Sequence, residues 1–258
     1  VGTKLCLIRA ATRTAMTSLR HLGRAALLGV LLGMLLVGCT ADRPLRVAVS
    51  PWIGYVTLFI ARHFGWLPID VALHESRNLG DSVDALRDGV VDAAALTLDE
   101  VLLARANGVP LAIALVFNIS AGADVVLAKP GIGDLGQLRG RRVAVEPSAL
   151  GPLVLSRALA EAGLTLDDVQ VIDLAPDAQP QAWQADQIDA AVAYGPAVGQ
   201  IEALDGQRLF DSRGMPDTIF DVLAVRRDVV DHATLPGLLE AHFRGVAHLR
   251  RGCVVPHC

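Results

Sequence analysis

Short apolar runs alternate with amphipathic segments between residues 45 and 119. Strands are predicted over 45–49, 69–73, 92–96 and 111–117. The segments between them have helical apolar spacing and end at Gly or Asn-Gly, so helices are predicted over 57–64, 81–88 and 100–106. Because parallel strands need crossover connections, this half of the chain predicts a parallel α/β sheet.

A second unit of the same kind begins at Val125. Its predicted strands are 125–128, 142–145, 169–174 and 190–194, and its predicted helices are 151–162, 182–185 and 196–203. The run 219–225 is predicted to be a strand that returns to the first unit, and a helix is predicted over 240–249. We therefore expect an α/β protein of two lobes. The first lobe is 45–124 plus 219–249, and the second is 125–218.

A different pattern precedes both lobes. The apolar stretch from Ala25 to Val37 follows Arg20, His21 and Arg24 and ends at Gly38-Cys39. A helix of this length rises only about 20 Å, less than the roughly 30 Å hydrocarbon core of a bilayer, so a signal peptide over 1–38 is favoured over an uncleaved anchor.

The end of this leader, Leu36-Val37-Gly38-Cys39, resembles the lipobox of bacterial lipoprotein precursors. This resemblance implies that Cys39 is lipidated and holds the mature protein at a membrane surface, with 39–44 as a tether. Translation is expected to begin at Met16.

Charge and cysteine content exclude several classes of protein. The formal net charge is -4, and the region after the leader has no Lys/Arg cluster, so nucleic acid is not an expected partner. The four cysteines are Cys6, Cys39, Cys253 and Cys258, and they offer no internal disulfide framework. The last two, with His257, would make a poor closed metal site, so we expect no metal, no cofactor and an irregular tail over 250–258.

Several segments together resemble one known family. They are Val47-Ala48-Val49 with Trp52 to Ala61, Leu86 to Ala94, Asp134 to Val145, Leu159 to Val171, and Gln187 to Ala191. In this order and spacing they look like substrate-binding proteins of nitrate/sulfonate/taurine-type ABC importers, a superfamily that also includes thiamine-pyrimidine synthesis enzymes.

The resemblance implies the type II periplasmic-binding-protein fold, with a ligand cleft between two α/β lobes. It also implies an extracytoplasmic, monomeric protein that delivers a small molecule to ABC permease and ATPase subunits. Family members usually continue with further helices after the position of Leu249, so a truncated or frameshifted reading that leaves the first lobe incomplete stays open.

Candidate ligand-binding residues follow the predicted strands, because ligands of open α/β sheets bind beyond the carboxyl ends of the strands. They are Trp52, Tyr55, Asn78, Ser82, Thr97, Asp99, Asn118, Ser120, Glu146, Ser148 and Tyr194. Alternatives remain for individual members: Ser82, Thr97 and Ser148 are equally compatible with helix caps, and Trp52 with packing in the lobe core.

The charge of the expected cleft bears on its ligand. Asp99, Asp124 and Glu146 are acidic, whereas Arg77 is the only obvious base in these loops. We therefore expect a neutral or cationic ligand, a flat heteroaromatic one included, because carboxylates repel nitrate or a sulfonate. The alternative is that Asp99 caps a helix while Asp124 and Glu146 face solvent.

Three functions are compatible with this sequence. The leading one is a solute-binding lipoprotein with no catalytic residues, since no nucleophile and base occur at a recognisable spacing. The others are a thiamine-pyrimidine-type biosynthetic enzyme and the ligand-sensing domain of a signalling system.

Overall fold

The computed structural model describes residues 43–252. Several predicted features lie outside these residues: the signal peptide, the start at Met16, the lipidation of Cys39, and the tail with Cys253, His257 and Cys258. Among the described helices, none is long and apolar enough to cross a membrane.

The described chain folds into ten strands and seven α-helices. The strands are β1 (Leu45–Val49), β2 (Val71–Glu75), β3 (Ala93–Thr97), β4 (Leu111–Ile119), β5 (Val125–Ala128), β6 (Arg142–Val145), β7 (Gln170–Asp173), β8 (Ala190–Ala193), β9 (Gln207–Asp211) and β10 (Phe220–Arg226). The helices are α1 (Val56–His63), α2 (Leu79–Arg87), α3 (Leu98–Ala106), α4 (Leu150–Glu161), α5 (Gln179–Gln184), α6 (Ala197–Glu202) and α7 (Leu235–Arg250).

The first sheet has the strand order β2-β1-β3-β10-β4. Strand β1 pairs with β2 and β3 in parallel, as the helical crossovers predict. The purely parallel prediction is wrong for this sheet, because the return strand β10 lies between β3 and β4 and is antiparallel to both. This insertion carries residues from the end of the chain into the centre of the first sheet.

The second sheet has the order β7-β6-β8-β5-β9. Strand β6 is parallel to β7 and β8, whereas β5 is antiparallel to β8 and β9. Strand β9 escaped prediction because only Phe210 among its five residues is buried, so its sequence lacks a clear apolar alternation. The expected α/β class is confirmed, with two five-stranded sheets of mixed direction.

Two element boundaries differ from prediction for local reasons. Ile69 was included in the second strand because it is apolar, but it is 97% exposed and precedes β2 in a turn. The last helix begins at Leu235, five residues before the predicted start, with Pro236 in its first turn. Proline is tolerated there because the first helical N–H groups have no partner within the helix.

An arginine–aspartate pair recurs at the amino end of the parallel strands in both sheets. Arg46 donates from Nε and a terminal nitrogen to both oxygens of Asp92, each at 2.9 Å, and its backbone N–H also donates to Asp92. Arg142 makes the same three bonds to Asp189, with side-chain distances of 3.1 and 2.8 Å. Each pair ties the first parallel strand of its sheet to the segment that enters the neighbouring strand.

The two sheets share one buried apolar cluster. Ala48 and Val222 of the first sheet belong to it, as do Val126 and Val143 of the second, together with buried side chains from α2 and α4. Smaller clusters lie on the other face of each sheet. On the first sheet, the edge strand β4 also exposes Ile113, Val116 and Ile119.

Candidate functional site

A cavity lies between the two sheets, at the carboxyl ends of β1 and β3. About 270 Å³ of empty space lies among its lining atoms when the opening to solvent is counted, and the enclosed part has room for about one water-sized group. The lining residues are Ser50, Trp52, Tyr55, Leu79, Thr97, Asp124, Leu150, Tyr194, Ile219 and Asp221. Because β10 is antiparallel, its first residues reach the same edge as the ends of the parallel strands. The site therefore forms where ligands of open α/β sheets bind.

Asp221 is a buried carboxylate in the lining of this cavity. Trp52 Nε1 donates to its Oδ2 at 2.8 Å, and the Tyr55 hydroxyl donates to its Oδ1 at 2.9 Å. Burial raises the pKa of Asp221, and the hydrogen bonds from Trp52, Tyr55 and Asn118 offset part of that effect. The carboxylate thus fixes both aromatic side chains of the loop that follows β1.

Asp124 is a second buried carboxylate in the lining. The Ser120 hydroxyl donates to its Oδ2, and Ser120 also lies 2.9 Å from Ser212. Burial, with a smaller contribution from the charges of Asp221 and Asp99, raises the pKa of Asp124 to about 6.

Tyr194 and Glu146 continue the site on the second sheet. The Tyr194 hydroxyl donates to Glu146 Oε2 at 3.0 Å, and its ring meets Trp52 edge to face at 5.7 Å between centroids. Burial raises the pKa of Glu146 to about 7, and the charge of Glu100 adds to this. The aromatic contact joins the loop after β1 to the loop after β8.

Two carboxylates at the same edge face helix N-termini of the opposite lobe. Glu100 in α3 accepts hydrogen bonds at Oε1 from the backbone N–H groups of Ala149 and Leu150, at 2.7 and 3.3 Å, where α4 begins. On the other side, the N–H groups of Leu79 and Gly80 at the start of α2 partly offset the pKa rise of Glu146. Helix N-termini favour negative charge, so both contacts stabilise the present arrangement of the lobes.

Several buried polar atoms of the site have no well-formed hydrogen bond within the described residues. They are Ser50 Oγ, Thr97 Oγ1, both carboxylate oxygens of Asp99, and Glu146 Oε1. Ser50 and Thr97 are 1% and 3% exposed and line the cavity. Buried polar groups without partners are costly, so this edge is suited to a ligand that supplies the missing partners.

Basic side chains are absent from the lining of this cavity within residues 43–252. Arg77, the one base expected nearby, pairs with Asp81 at 2.8 Å, and its side chain is 78% exposed. The solvent-facing alternative for Asp124 and Glu146 is wrong, because each residue is 3% exposed. The site is therefore acidic and largely buried.

The structure brings some of the predicted residues together and separates others. Four of the candidates line the cavity: Trp52, Tyr55, Thr97 and Tyr194. Three others lie next to it: Ser120 and Glu146 form hydrogen bonds with lining residues, and Asn118 with the loop after β1. Asp99 is close enough for its charge to act on Asp124, but it does not line the cavity.

The remaining candidates have local structural roles. Asn78 Oδ1 accepts from the Asp81 N–H at 2.9 Å and caps α2, while the Ser82 hydroxyl donates weakly to the Asn78 carbonyl at 3.4 Å. Ser148 lies in a separate hollow with Glu100. The cap alternative fails for Thr97, whose side chain makes no capping bond to α3.

The sequence interpretation missed the carboxylate that organises the site. Asp221 is the second residue of a strand that is otherwise apolar up to its last residue, Arg226, and that interruption was a signal for it. Ser50, Leu79, Leu150 and Ile219 also line the cavity and were not among the candidate ligand-binding residues.

A hydroxyl–imidazole pair exists elsewhere in the described residues. Thr57 Oγ1 and His242 Nδ1 are 2.8 Å apart, both buried between α1 and α7. Neither residue lines the cavity, so this pair supplies no nucleophile and base to it.

Comparisons with known proteins point to binding proteins. The family model described as NMT1/THI5 like matches residues 55–249. A Brucella abortus protein named as a binding protein is 35% identical over 88 residues, which cover 34% of this chain and 28% of that protein. The taurine-binding periplasmic protein of Escherichia coli is 30% identical over 154 residues, which cover 58% of this chain and 47% of that protein. The matched region is thus less than half the length of either relative.

Solved structures share the architecture. The alkanesulfonate-binding protein SsuA from Xanthomonas axonopodis pv. citri, bound to MOPS, has a TM-score of 0.69 at 21% identity, covering 82% of this chain and 76% of that one. The desulfurization enzyme DSZB has a TM-score of 0.60 at 15% identity, covering 82% of this chain and 77% of that one. At these identities the likeness shows the fold alone, a fold that serves both binding proteins and an enzyme.

Proposed function

The chain belongs to the NMT1/THI5-like family, and from this premise we propose that it is an extracytoplasmic solute-binding protein that delivers a small ligand to an ABC importer. The observation that carries the proposal is the cavity between the two sheets, where the buried hydroxyl of Ser50 has no hydrogen-bond partner among residues 43–252. Relatives named as binding proteins, one of them periplasmic, support the same role.

The contacts between the lobes support a closing mechanism. Glu100 holds the start of α4, and Trp52 meets Tyr194 across the cavity. A ligand that touches residues of both lobes binds the closed form better than the open form, and so shifts the population toward closure. The permease would then recognise the closed, loaded protein.

The leader sequence supports a membrane tether. We propose that Leu36-Val37-Gly38-Cys39 is cleaved and that lipidated Cys39 keeps the binding protein, a monomer, near its permease. Metabolic labelling with radioactive palmitate in a bacterial host is expected to label the wild type. A Cys39→Ser variant is expected to take up no label, and equal labelling of both would contradict the tether.

Binding without chemistry is the proposed role of the cavity. In the described structure its lining offers carboxylates, hydroxyls and aromatic rings, while the buried Thr57–His242 pair is elsewhere. A ligand should therefore leave the protein chemically unchanged. Conversion of the bound compound to a product would favour the enzyme alternative.

A thermal-shift screen against a library of small metabolites tests this function. We expect at least one compound to raise Tm, because ligands that bind only the folded state stabilise it. Trp52→Ala should abolish the shift, since it removes an aromatic wall of the cavity. Trp66→Ala is the matched control, because Trp66 stacks on Phe64 outside the cavity.

Two outcomes would overturn the proposal. One is a ligand whose thermal shift survives Trp52→Ala in full, because that ligand binds elsewhere. The other is chromatographic recovery of a product instead of the added compound.

A further inference from the structure

The charged side chains that line the cavity are all acidic. Asp124 and Asp221 both line it, and Glu146 lies beside them behind Tyr194. Among the described residues, Arg77 pairs with Asp81 and Arg213 pairs with Asp211, and neither arginine lines the cavity. An anionic ligand would have to enter this environment with no cation to receive it.

The unpartnered atoms point the same way. Ser50 and Thr97 are more than nine-tenths buried and line the cavity. Within the described residues Ser50 Oγ has no hydrogen-bond partner, and Thr97 Oγ1 makes no well-formed bond, its side chain interacting with the Asp99 carboxyl. Carboxylates accept hydrogen bonds, and hydroxyls are able to accept them. A ligand group rich in N–H donors would therefore satisfy more of this surface than an acceptor would.

The walls of the cavity also favour positive charge. Trp52, Tyr55 and Tyr194 supply aromatic rings on both lobes. The faces of such rings attract cations, most strongly in desolvated sites. Rings held in place by Asp221 and Glu146 would contact the ligand without rearrangement.

We propose that the ligand carries a protonated nitrogen, as an amine or amidine does, which binds between the carboxylates of Asp124 and Asp221. This inference rests on the proposed binding function and names its substrate class. The two aspartates are then specificity-determining residues: they hold the cation and repel nitrate, sulfonates and carboxylates.

Isosteric probes test the charge directly. Benzamidinium, benzamide and benzoate differ chiefly in charge, and acetamidinium, acetamide and acetate form a smaller series. We expect calorimetry on the wild-type protein to show that, in at least one series, the cation binds about tenfold or more tightly than its neutral and anionic partners. Asp221→Asn and Asp124→Asn should each remove most of that preference. Asp231→Asn, an exposed control outside the lining, should keep it.

The results separate this inference from the function on which it rests. Tighter binding of an anion or a neutral probe, or no binding by any of the six, would overturn the cationic ligand. A metabolite of another charge that still binds in the cavity would leave the binding function intact. Circular dichroism and Tm of both Asn variants would show whether a lost preference reflects the site or a loss of folding.

Discussion

Buried or half-buried carboxylates occur at both ends of the parallel strands, and the two ends differ in how their charge is balanced. At the amino end, the carboxylates of Asp92 and Asp189 each accept two hydrogen bonds from one arginine side chain. Burial opposes the ionisation of Asp92, but the bonds and charge of Arg46 outweigh it and hold its pKa below the usual value. At the carboxyl end, Asp124, Glu146 and Asp221 have no arginine partner among residues 43–252, and burial raises the pKa of each.

Under the proposed function, this difference separates structural acids from acids that bind the ligand. A charge compensated within the fold contributes to stability and has little left to offer a ligand. An uncompensated charge lowers the stability of the empty protein and is retained where a ligand balances it. The same residue type thus has opposite roles at the two edges of the same sheets.

The largest effect is expected from Asp92→Ala. It leaves Arg46 without its partner and removes a carboxylate that is 2% exposed, so unfolding in urea should show a loss of about 3 kcal/mol. Asp231→Ala, on the surface, should change the free energy of unfolding by less than about 0.5 kcal/mol. A loss below about 1 kcal/mol for Asp92→Ala would mean that the pair is not structural.

Asp189→Ala should have a smaller effect of the same kind. Its carboxylate is 18% exposed, so solvent screens the Asp189–Arg142 pair more than it screens the Asp92–Arg46 pair. We expect a loss of about 2 kcal/mol in the same urea experiment. A loss exceeding that of Asp92→Ala would show that the exposure of the carboxylate does not determine which pair contributes more to stability.

The binding acids predict an unusual pH dependence for the empty protein. Glu146, with a pKa of about 7 in the folded state against 4.5 ordinarily, binds more protons in the folded than in the unfolded chain between those values. Asp124 does the same between 3.8 and about 6. Their contribution to stability therefore falls as pH rises from about 4 to 7.

Comparison with an Asp124→Asn/Glu146→Gln double variant isolates this effect. Burial lowers the pKa of His242, which opposes the trend, but His242 is common to both proteins. Relative to the double variant, the wild type should lose about 1–2 kcal/mol between pH 6 and pH 7, measured by urea unfolding. A difference that is flat or rises with pH would contradict the raised pKa values.

The smallest effect is expected at the contact between the lobes. Glu100→Ala removes the acceptor for two N–H groups at the start of α4 and should cost about 1 kcal/mol. Glu100→Gln keeps an acceptor oxygen and should recover most of that loss in thermal unfolding. Equal losses in the two variants would assign the effect to charge and not to capping.

Much of the fold was predictable because it is encoded locally. The bounds of β1, β5 and β6 were predicted without error, since each is a compact apolar run bounded by turn or polar residues. The direction of β4 relative to its neighbour was not predictable, because β10 is inserted there from about one hundred residues later in the chain. Strand β9 lacked the apolar alternation that identifies a strand.

The site shows the same division between local and distant information. Trp52, Tyr55 and Tyr194 were predicted because they follow strands directly, whatever the pairing of those strands. Asp221 was missed because its place opposite Thr97 and Asn118 depends on pairing with two distant strands. Asn78 and Ser82 were selected by position alone, and position does not distinguish a helix cap from a ligand contact.

The central claim is that uncompensated acids at the carboxyl edge select a cation. Mass spectrometry of the ligand released from protein purified from its native host tests this claim most directly. We predict a compound with a basic nitrogen that is protonated at neutral pH, present in the wild type and depleted in Asp221→Asn. A sulfonate, nitrate or other anion, retained equally by both proteins, would contradict the claim.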